Sequence, residues 1–157
     1  MTITIRSYQL DDLETLKAIT VEAFEAVSID RNTESQFGPI GDHDWKWRKA
    51  RHIEEDCRRE PKGVFVAEAA DRIVGYITTW MDREASIGYI PNLAVDHSRR
   101  GQGIGRQLIE HALSHFRTQR MAHARIETLE QNSIGQKLYP SLGFREIARQ
   151  IHYGMEL

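Results

Sequence analysis

Three glycines at alternate positions, Gly101, Gly103 and Gly105, interrupt the chain between an apolar run ending at Val95 and a segment of helical periodicity. Arginines flank them at 99, 100 and 106. No other feature restricts the fold as strongly. Glycine lets the backbone take left-handed turns and brings N–H groups close to a ligand. A helix start leaves N–H donors without intrahelical acceptors and carries a partial positive charge. A strand, a glycine loop and a helix in that order therefore make a phosphate site.

The surrounding pattern gives that site a scaffold. Ile3 and Ile5 alternate with threonines, as in a short half-buried strand. A helix follows Asp11-Asp12, with Leu13, Leu16, Ile19 and Ala23 near one face. Residues 31–61 carry turn signals at Gly38-Pro39 and Gly41-Asp42 and are weakly patterned up to a charged helix over 44–59. Beyond Pro61, residues 64–67 and 73–80 form a strand pair about a turn at Asp71-Arg72. Residues 87–95 form another strand, and Pro91 inside it removes one ladder donor, so the strand is bulged or unpaired there. A helix over 106–117, a strand over 124–129 and a helix over 132–142 follow. Gly143 sits in the stop position of that last helix, and one or two final strands are expected over 144–157. This order is that of a single-sheet α/β or α+β domain spanning residues 1–157.

Spacing narrows the phosphate compound. The nucleotide P-loop needs G-x-x-x-x-G-K-[ST], which is absent. The dinucleotide fingerprint G-x-G-x-x-G fails because Arg106 occupies its third glycine position and because the loop lies two-thirds along the chain. Arg100-Gly101-Gln102-Gly103-Ile104-Gly105 instead matches R/Q-x-x-G-x-G/A. Asn92-Leu93-Ala94-Val95-Asp96 precedes it, and Asn132 followed by Tyr139 and Leu142-Gly143-Phe144 comes after it. In these motifs the chain resembles the GCN5-related N-acetyltransferase (GNAT) superfamily. The resemblance covers nearly the whole chain outside 31–61.

That resemblance implies a mixed, twisted sheet of about six to seven strands with about four helices and a splayed cofactor cleft. It implies acetyl transfer from acetyl-coenzyme A to an amine. Gly101, Gln102, Gly103, Ile104, Gly105 and Arg106 would cap the pyrophosphate with backbone donors, with charge added by Arg100 and Arg106. Leu93, Ala94 and Val95 would pair with the pantetheine arm, and Asn132 would hydrogen-bond it while serving as an N-cap. Tyr139 would give a proton to the coenzyme sulfur, a phenol of pKa about 10 facing a thiol of about 8.5. Glu127, Glu130 or an ordered water would take the proton from the amine. A non-catalytic coenzyme A-binding module is the rival reading, disfavoured because a sensor needs no acid. The acceptor, a small molecule or a peptide amine, is open, and so is a homodimer.

Other features bind less. His111 and His115 are spaced i, i+4 as metal ligands are, without an evident third ligand, so a solvated face is expected and no metal site. Cys57 reads as a small buried apolar group. Trp45 and Trp47 with Asp42 and Asp44 would suit a cationic acceptor, but Lys46, Arg48, Lys49 and Arg51 favour a solvated helix. The formal charge of -2 supplies no field for nucleic acid or an anionic membrane. The single cysteine, the absence of a long apolar run and the polar opening residues predict a cytoplasmic protein.

Overall fold

A computed structural model describes residues 2–157; Met1, the first residue of the expected domain, lies outside them. The first strand, β1 (Thr4–Ser7), leads through a 3-10 turn at Leu10–Asp12 into α1 (Leu13–Ala23). Two more helices, α2 (Ile29–Phe37) and α3 (Trp45–Arg59), precede β2 (Phe65–Ala69), β3 (Arg72–Asp82) and β4 (Ile87–Val95). The glycine loop opens α4 (Ile104–Thr118), followed by β5 (His123–Ile126) and α5 (Ser133–Ser141). The sheet runs β1-β2-β3-β4-β5, antiparallel except for the parallel β4–β5 pair. This is the expected mixed fold with helices on both faces.

Element counts differ from expectation. Among the described residues there are five strands rather than six to seven, and five α-helices rather than about four. The strands expected over 144–157 do not form among the described residues, and β5 is left as the edge of the sheet. The additional helix is α2. Ser28 caps its start by accepting from the Arg31 N–H at 3.4 Å, and Gly38 ends it at φ +76°. Its sequence is polar and it contributes no fully buried side chain, so hydrophobic periodicity could not reveal it.

Two apolar layers hold the sheet. On one face Leu16, Ile19, Ile53, Cys57 and Tyr76 pack beneath α1 and α3, which places Cys57 as expected. On the other Ile77, Ile90, Leu108, Ile109, Ala112 and Phe116 pack beneath α4. β4 serves both layers through a bulge. Thr78 pairs with Asn92 but Trp80 pairs with Tyr89, so β4 carries one extra residue at Pro91. Alternation along a regular strand would put Ile90 and Ala94 on one face. Instead Ile90 joins the α4 layer and Ala94 the α1–α3 layer.

An ion pair anchors the first strand to the first helix. The Arg6 guanidinium donates to both Asp12 oxygens at 2.8 and 3.0 Å and to Glu68 Oε1 at 2.9 Å, and Asp12 also accepts the Gln9 N–H. The Arg6 hydrogen bond holds the Asp12 carboxyl below the usual carboxylate range, against the opposing effect of burial. A depressed folded value means stability present above the unfolded pKa near ~3.9 and lost as pH falls through the folded value. Asp12→Asn should therefore cost about 1–3 kcal/mol at neutral pH and flatten the acid limb of the stability curve. Urea unfolding at pH 7 and pH 3 checks this; an acid limb as steep as that of the parent would remove Asp12 from the anchor.

Candidate active site

Pairing between β4 and β5 covers only Ile87–Ile90 against His123–Ile126. β4 continues to Val95 while β5 stops, so the edge of residues 91–95 that would face β5 carries no ladder. The two strands splay at the Pro91 bulge, and peptide groups along that edge are free to pair with an extended ligand.

The phosphate loop lies beside this opening. Gly103 caps α4 at φ +78°, Gly101 sits at +76°, and a Cβ at either would meet nothing within 4 Å. The first backbone bond into α4 runs from the Gln107 N–H to the Gly103 carbonyl. The N–H groups of 104–106 therefore have no intrahelical acceptor. An open concave loop with donors at a helix start fits a pyrophosphate. Gly105 lies next to Leu138, Val95 and Leu93, so the loop, the splayed edge and α5 converge. Arg106 bridges α4 to α5 by donating to Ser141 Oγ at 2.7 Å, and Arg100 reaches the Ala23 carbonyl at 3.4 Å. Gln102 is exposed. The side chains of Ile104 and Ala94 are buried in the two layers, so these residues offer only backbone to a ligand.

Asn132 caps α5, accepting the Gly135 N–H at 3.1 Å and donating from Nδ2 to Thr128 Oγ1 at 2.7 Å. One Nδ2 hydrogen remains for a ligand. Gly135 makes the cap possible: a Cβ there would lie 2.7 Å from Asn132 Nδ2 and 3.0 Å from the Tyr139 ring. Tyr139 packs edge-on to Phe144, and burial pushes its phenol up, keeping it protonated at neutral pH. Glu127 is exposed just past the end of β5. Glu130 accepts Arg149 at 3.0 Å, which leaves it the less available of the two carboxylates.

The bulge is clamped from the other face by polar groups that sequence reasoning missed. Asn92 donates its N–H to Thr78 Oγ1 at 3.1 Å and its Nδ2 to Asp56 at 2.7 Å, and it accepts Lys49 Nζ at 2.8 Å. Thr78 also donates to Asp56 at 2.8 Å. The Lys49 ammonium lies 4.0 Å over the Phe24 ring, and burial lowers its pKa against the pull of Asp30 and Asp56. A usable signal existed: Lys49 and Asp56 fall on the α3 stripe of Trp45, Ile53 and Cys57, and Asn92 is a polar residue inside an apolar strand.

Two expectations are corrected. The helix over 44–59 is not a merely solvated one, since Lys49 and Arg48 are half-buried and Trp45 is in the interior. Nor do its tryptophans form a cation pocket. Trp47 stacks on His43 at 3.5 Å with Arg51 over its ring, and Asp44 is spent capping α3. His111 and His115 are not on a solvated face: both pack edge-on to Phe65, and burial lowers both pKa values. Among the described residues no three His, Cys, Asp or Glu side chains gather for a metal, and no helix is long and apolar enough to cross a membrane.

Surface hydrogen bonds join the loop after β5 to the segment between α1 and α2. Gln131, in the loop after β5, donates to the Ala26 carbonyl at 2.5 Å and accepts from Asn32 Nδ2 at 2.9 Å. The segment between α1 and α2 is thereby held against the loop that leads away from the splay. On its inner side α2 meets α3 through Asp30, which pairs with Arg48 at 3.5 Å and His52 at 3.7 Å.

Comparison with known proteins bears on the family and the fold. The acetyltransferase (GNAT) family profile matches residues 24–144. A mycothiol acetyltransferase of Thermobispora bispora is 29% identical over 114 residues, 69% of this chain and 39% of that protein. The ribosomal protein bS18 alanine N-acetyltransferase of Escherichia coli is 27% identical over 115 residues, 66% of this chain and 78% of that protein. The chain spans well under half the length of the mycothiol acetyltransferases it matches. Among solved structures, the PaiA N-acetyltransferase of Thermoplasma acidophilum in complex with coenzyme A superposes with a TM-score of 0.71 at 21% identity, covering 92% of this chain and 91% of that one. The likeness is one of fold.

The clamp can be measured. In a double-mutant cycle Lys49→Met and Asn92→Ala should each destabilise, the second by about 2–3 kcal/mol, with a coupling of about 1 kcal/mol or more. Zero coupling in denaturant titrations would dissolve the clamp into independent contacts.

Proposed function

The chain belongs to the acetyltransferase (GNAT) family, and from that membership we propose that it transfers the acetyl group of acetyl-coenzyme A directly to a primary amine in a ternary complex. The observation that carries this reading is the free outer edge of β4 at Leu93–Val95 beside the N-terminus of α4. Acetyl-coenzyme A supplies an activated thioester, and the chain supplies position, charge and protons.

The backbone donors of 101–106, with Arg100 and Arg106, hold the pyrophosphate. The outer edge of Leu93, Ala94 and Val95 pairs with the pantetheine amides, aided by the spare Asn132 hydrogen. A backbone N–H of the free outer edge just beyond the bulge, at Leu93, stabilises the oxyanion that forms when the amine attacks the carbonyl. The Asn92 clamp fixes that N–H, so its position does not drift with the ligand. Tyr139, which burial keeps protonated, donates to the departing sulfur.

An ammonium has no lone pair, so the acceptor must first lose a proton. Its pKa is near ~10.4 for a lysine-type amine and ~7.7 for an α-amino group. Glu127 takes that proton directly or through a water. Its exposure past β5 leaves it in contact with solvent, into which the proton is passed.

The acceptor panel should include small amines and N-terminal peptides, because the named relatives include one for mycothiol and one for the alanine of a ribosomal protein. Coenzyme A thiol release on at least one acceptor is expected. Tight binding of acetyl-coenzyme A with no turnover on any acceptor would replace the enzyme by a coenzyme A-binding module. Gly103→Asp should raise the coenzyme A Kd by about 100-fold or more, because it sets a carboxylate against the phosphates. Unchanged affinity in a folded variant, read by calorimetry, would place the site elsewhere. Tyr139→Phe should lower kcat by about 100-fold while changing Kd little. A parental kcat would remove Tyr139 from the chemistry.

A further inference from the structure

A recess lies at the far end of the sheet from the glycine loop. It opens between the C-terminal ends of α3 and α4 and the end of β3, and its volume is about 330 Å³. Arg59, Glu60, Lys62, Arg83, His115 and Gln119 line it. Met81 lines it too and pairs with Gly88 at the start of β4, whereas the glycine loop follows Val95 at the other end of that strand. The two places are therefore about 20 Å apart along β4.

Three cations face one carboxylate in this recess, in a chain whose formal charge is -2. The carboxylate is already engaged, since Glu60 Oε2 accepts the Met81 N–H at 2.9 Å. Among the described residues, Arg59, Lys62 and Arg83 form no ion pair. The groups that hold the two guanidiniums are neutral. Arg59 lies 5.0 Å over the Trp80 ring, and Arg83 donates to Gln119 Oε1 at 3.2 Å. An aromatic face or an amide orients a guanidinium without cancelling its charge. The wall also contains an enclosed nitrogen without a hydrogen-bond partner, His115 Nε2, whose ring stands edge-on to Phe65 at 5.1 Å. Buried nitrogens ordinarily have a partner. Burial lowers the His115 pKa, so the ring is neutral near pH 7 and the positive charge belongs to the three long side chains.

We propose that this recess binds a phosphoryl group, free or esterified to a small molecule, at a site separate from the coenzyme site. A phosphate monoester carries a charge of about -1.5 to -2 at neutral pH, which matches the excess of three cations over one carboxylate. Guanidinium forks fit pairs of phosphoryl oxygens, and Lys62 adds a point charge. The volume is that of a small-molecule pocket, which begins near about 300 Å³. A ligand there would join the end of α3, which covers one face of the sheet, to the end of α4, which covers the other.

Inorganic phosphate, glycerol phosphate and acetate are each titrated into the isotope-labelled full chain in about 0.15 M NaCl, which screens loose surface attraction. Phosphate and glycerol phosphate should move the backbone amide signals of Lys62, Arg83 and Gln119 along one saturating curve, with acetate at least about tenfold weaker. A monoester that binds the more tightly identifies an esterified ligand, and phosphate that binds as tightly identifies the free ion; either supports the site. Phosphate is also expected at 101–106, and that curve is read from different amides, so a failure of the coenzyme site is told apart from a failure here. Lys62→Gln with Arg83→Gln removes two exposed charges and should raise the Kd read at Gln119 by about tenfold or more, leaving the curve at 101–106 where it was. No saturation at these three amides, acetate binding as tightly as phosphate, or a Kd unmoved by the double substitution would each overturn the proposal.

Discussion

Pro91 has no N–H to give to a ladder, and the site depends on that missing donor. The strand takes up an extra residue there, and Asn92 and Ala94 turn to the face opposite Ile90. The same step ends pairing with β5, because the register breaks where the parallel ladder stops. A single irregularity thus opens the cleft and lets one strand serve two apolar layers. It also leaves a backbone edge in contact with the site. A regular strand over 87–95 would have closed the sheet and left the glycine loop facing a finished surface.

A bulge of this kind would be loose if its polar groups were left to water. Asn92 satisfies its side-chain amide from two sides, and both partners, Lys49 and Asp56, come from α3. A helix whose charges read as solvent-facing is therefore tied to the bulged strand. The strand beside the glycine loop and the helix that precedes the sheet's second strand meet at one asparagine. Because buried polar groups cost more unpaired than they gain paired, the position of α3 is coupled to the shape of the cleft.

Much of this was legible in the residues. The glycine spacing, Pro91, the Asn132–Tyr139 interval and Gly143 each state a backbone requirement that few alternatives meet, and the elements they mark fall where they predict. What escaped has physical reasons. α2 buries nothing completely, so its only marks are a serine cap and a glycine stop. Lys49 and Asp56 are charged, and a charge on a helix reads as solvent-facing until its partner on another element is known. The strand pattern over 144–157 marks two alternating faces, but it does not supply a pairing edge, and among the described residues no strand forms there. Glu127 and Glu130 are alike in sequence; the Arg149 ion pair separates them only in space.

The surface contacts at Gln131 bear on how ligands meet the protein. α2 is held by surface contacts, two hydrogen bonds to Gln131 among them, and elements of that kind occupy the low-stability end of a fold, opening far below the free energy of global unfolding. The glycine loop belongs to the opposite end, since Ile104 and Leu108 just behind it are fully enclosed. The surface contacts of α2 are therefore the easier of the two to break, and the glycine loop is the more rigid. A ligand that meets the glycine loop meets a preformed surface and pays little ordering entropy, whereas one that touches α2 must also order the contacts that hold it.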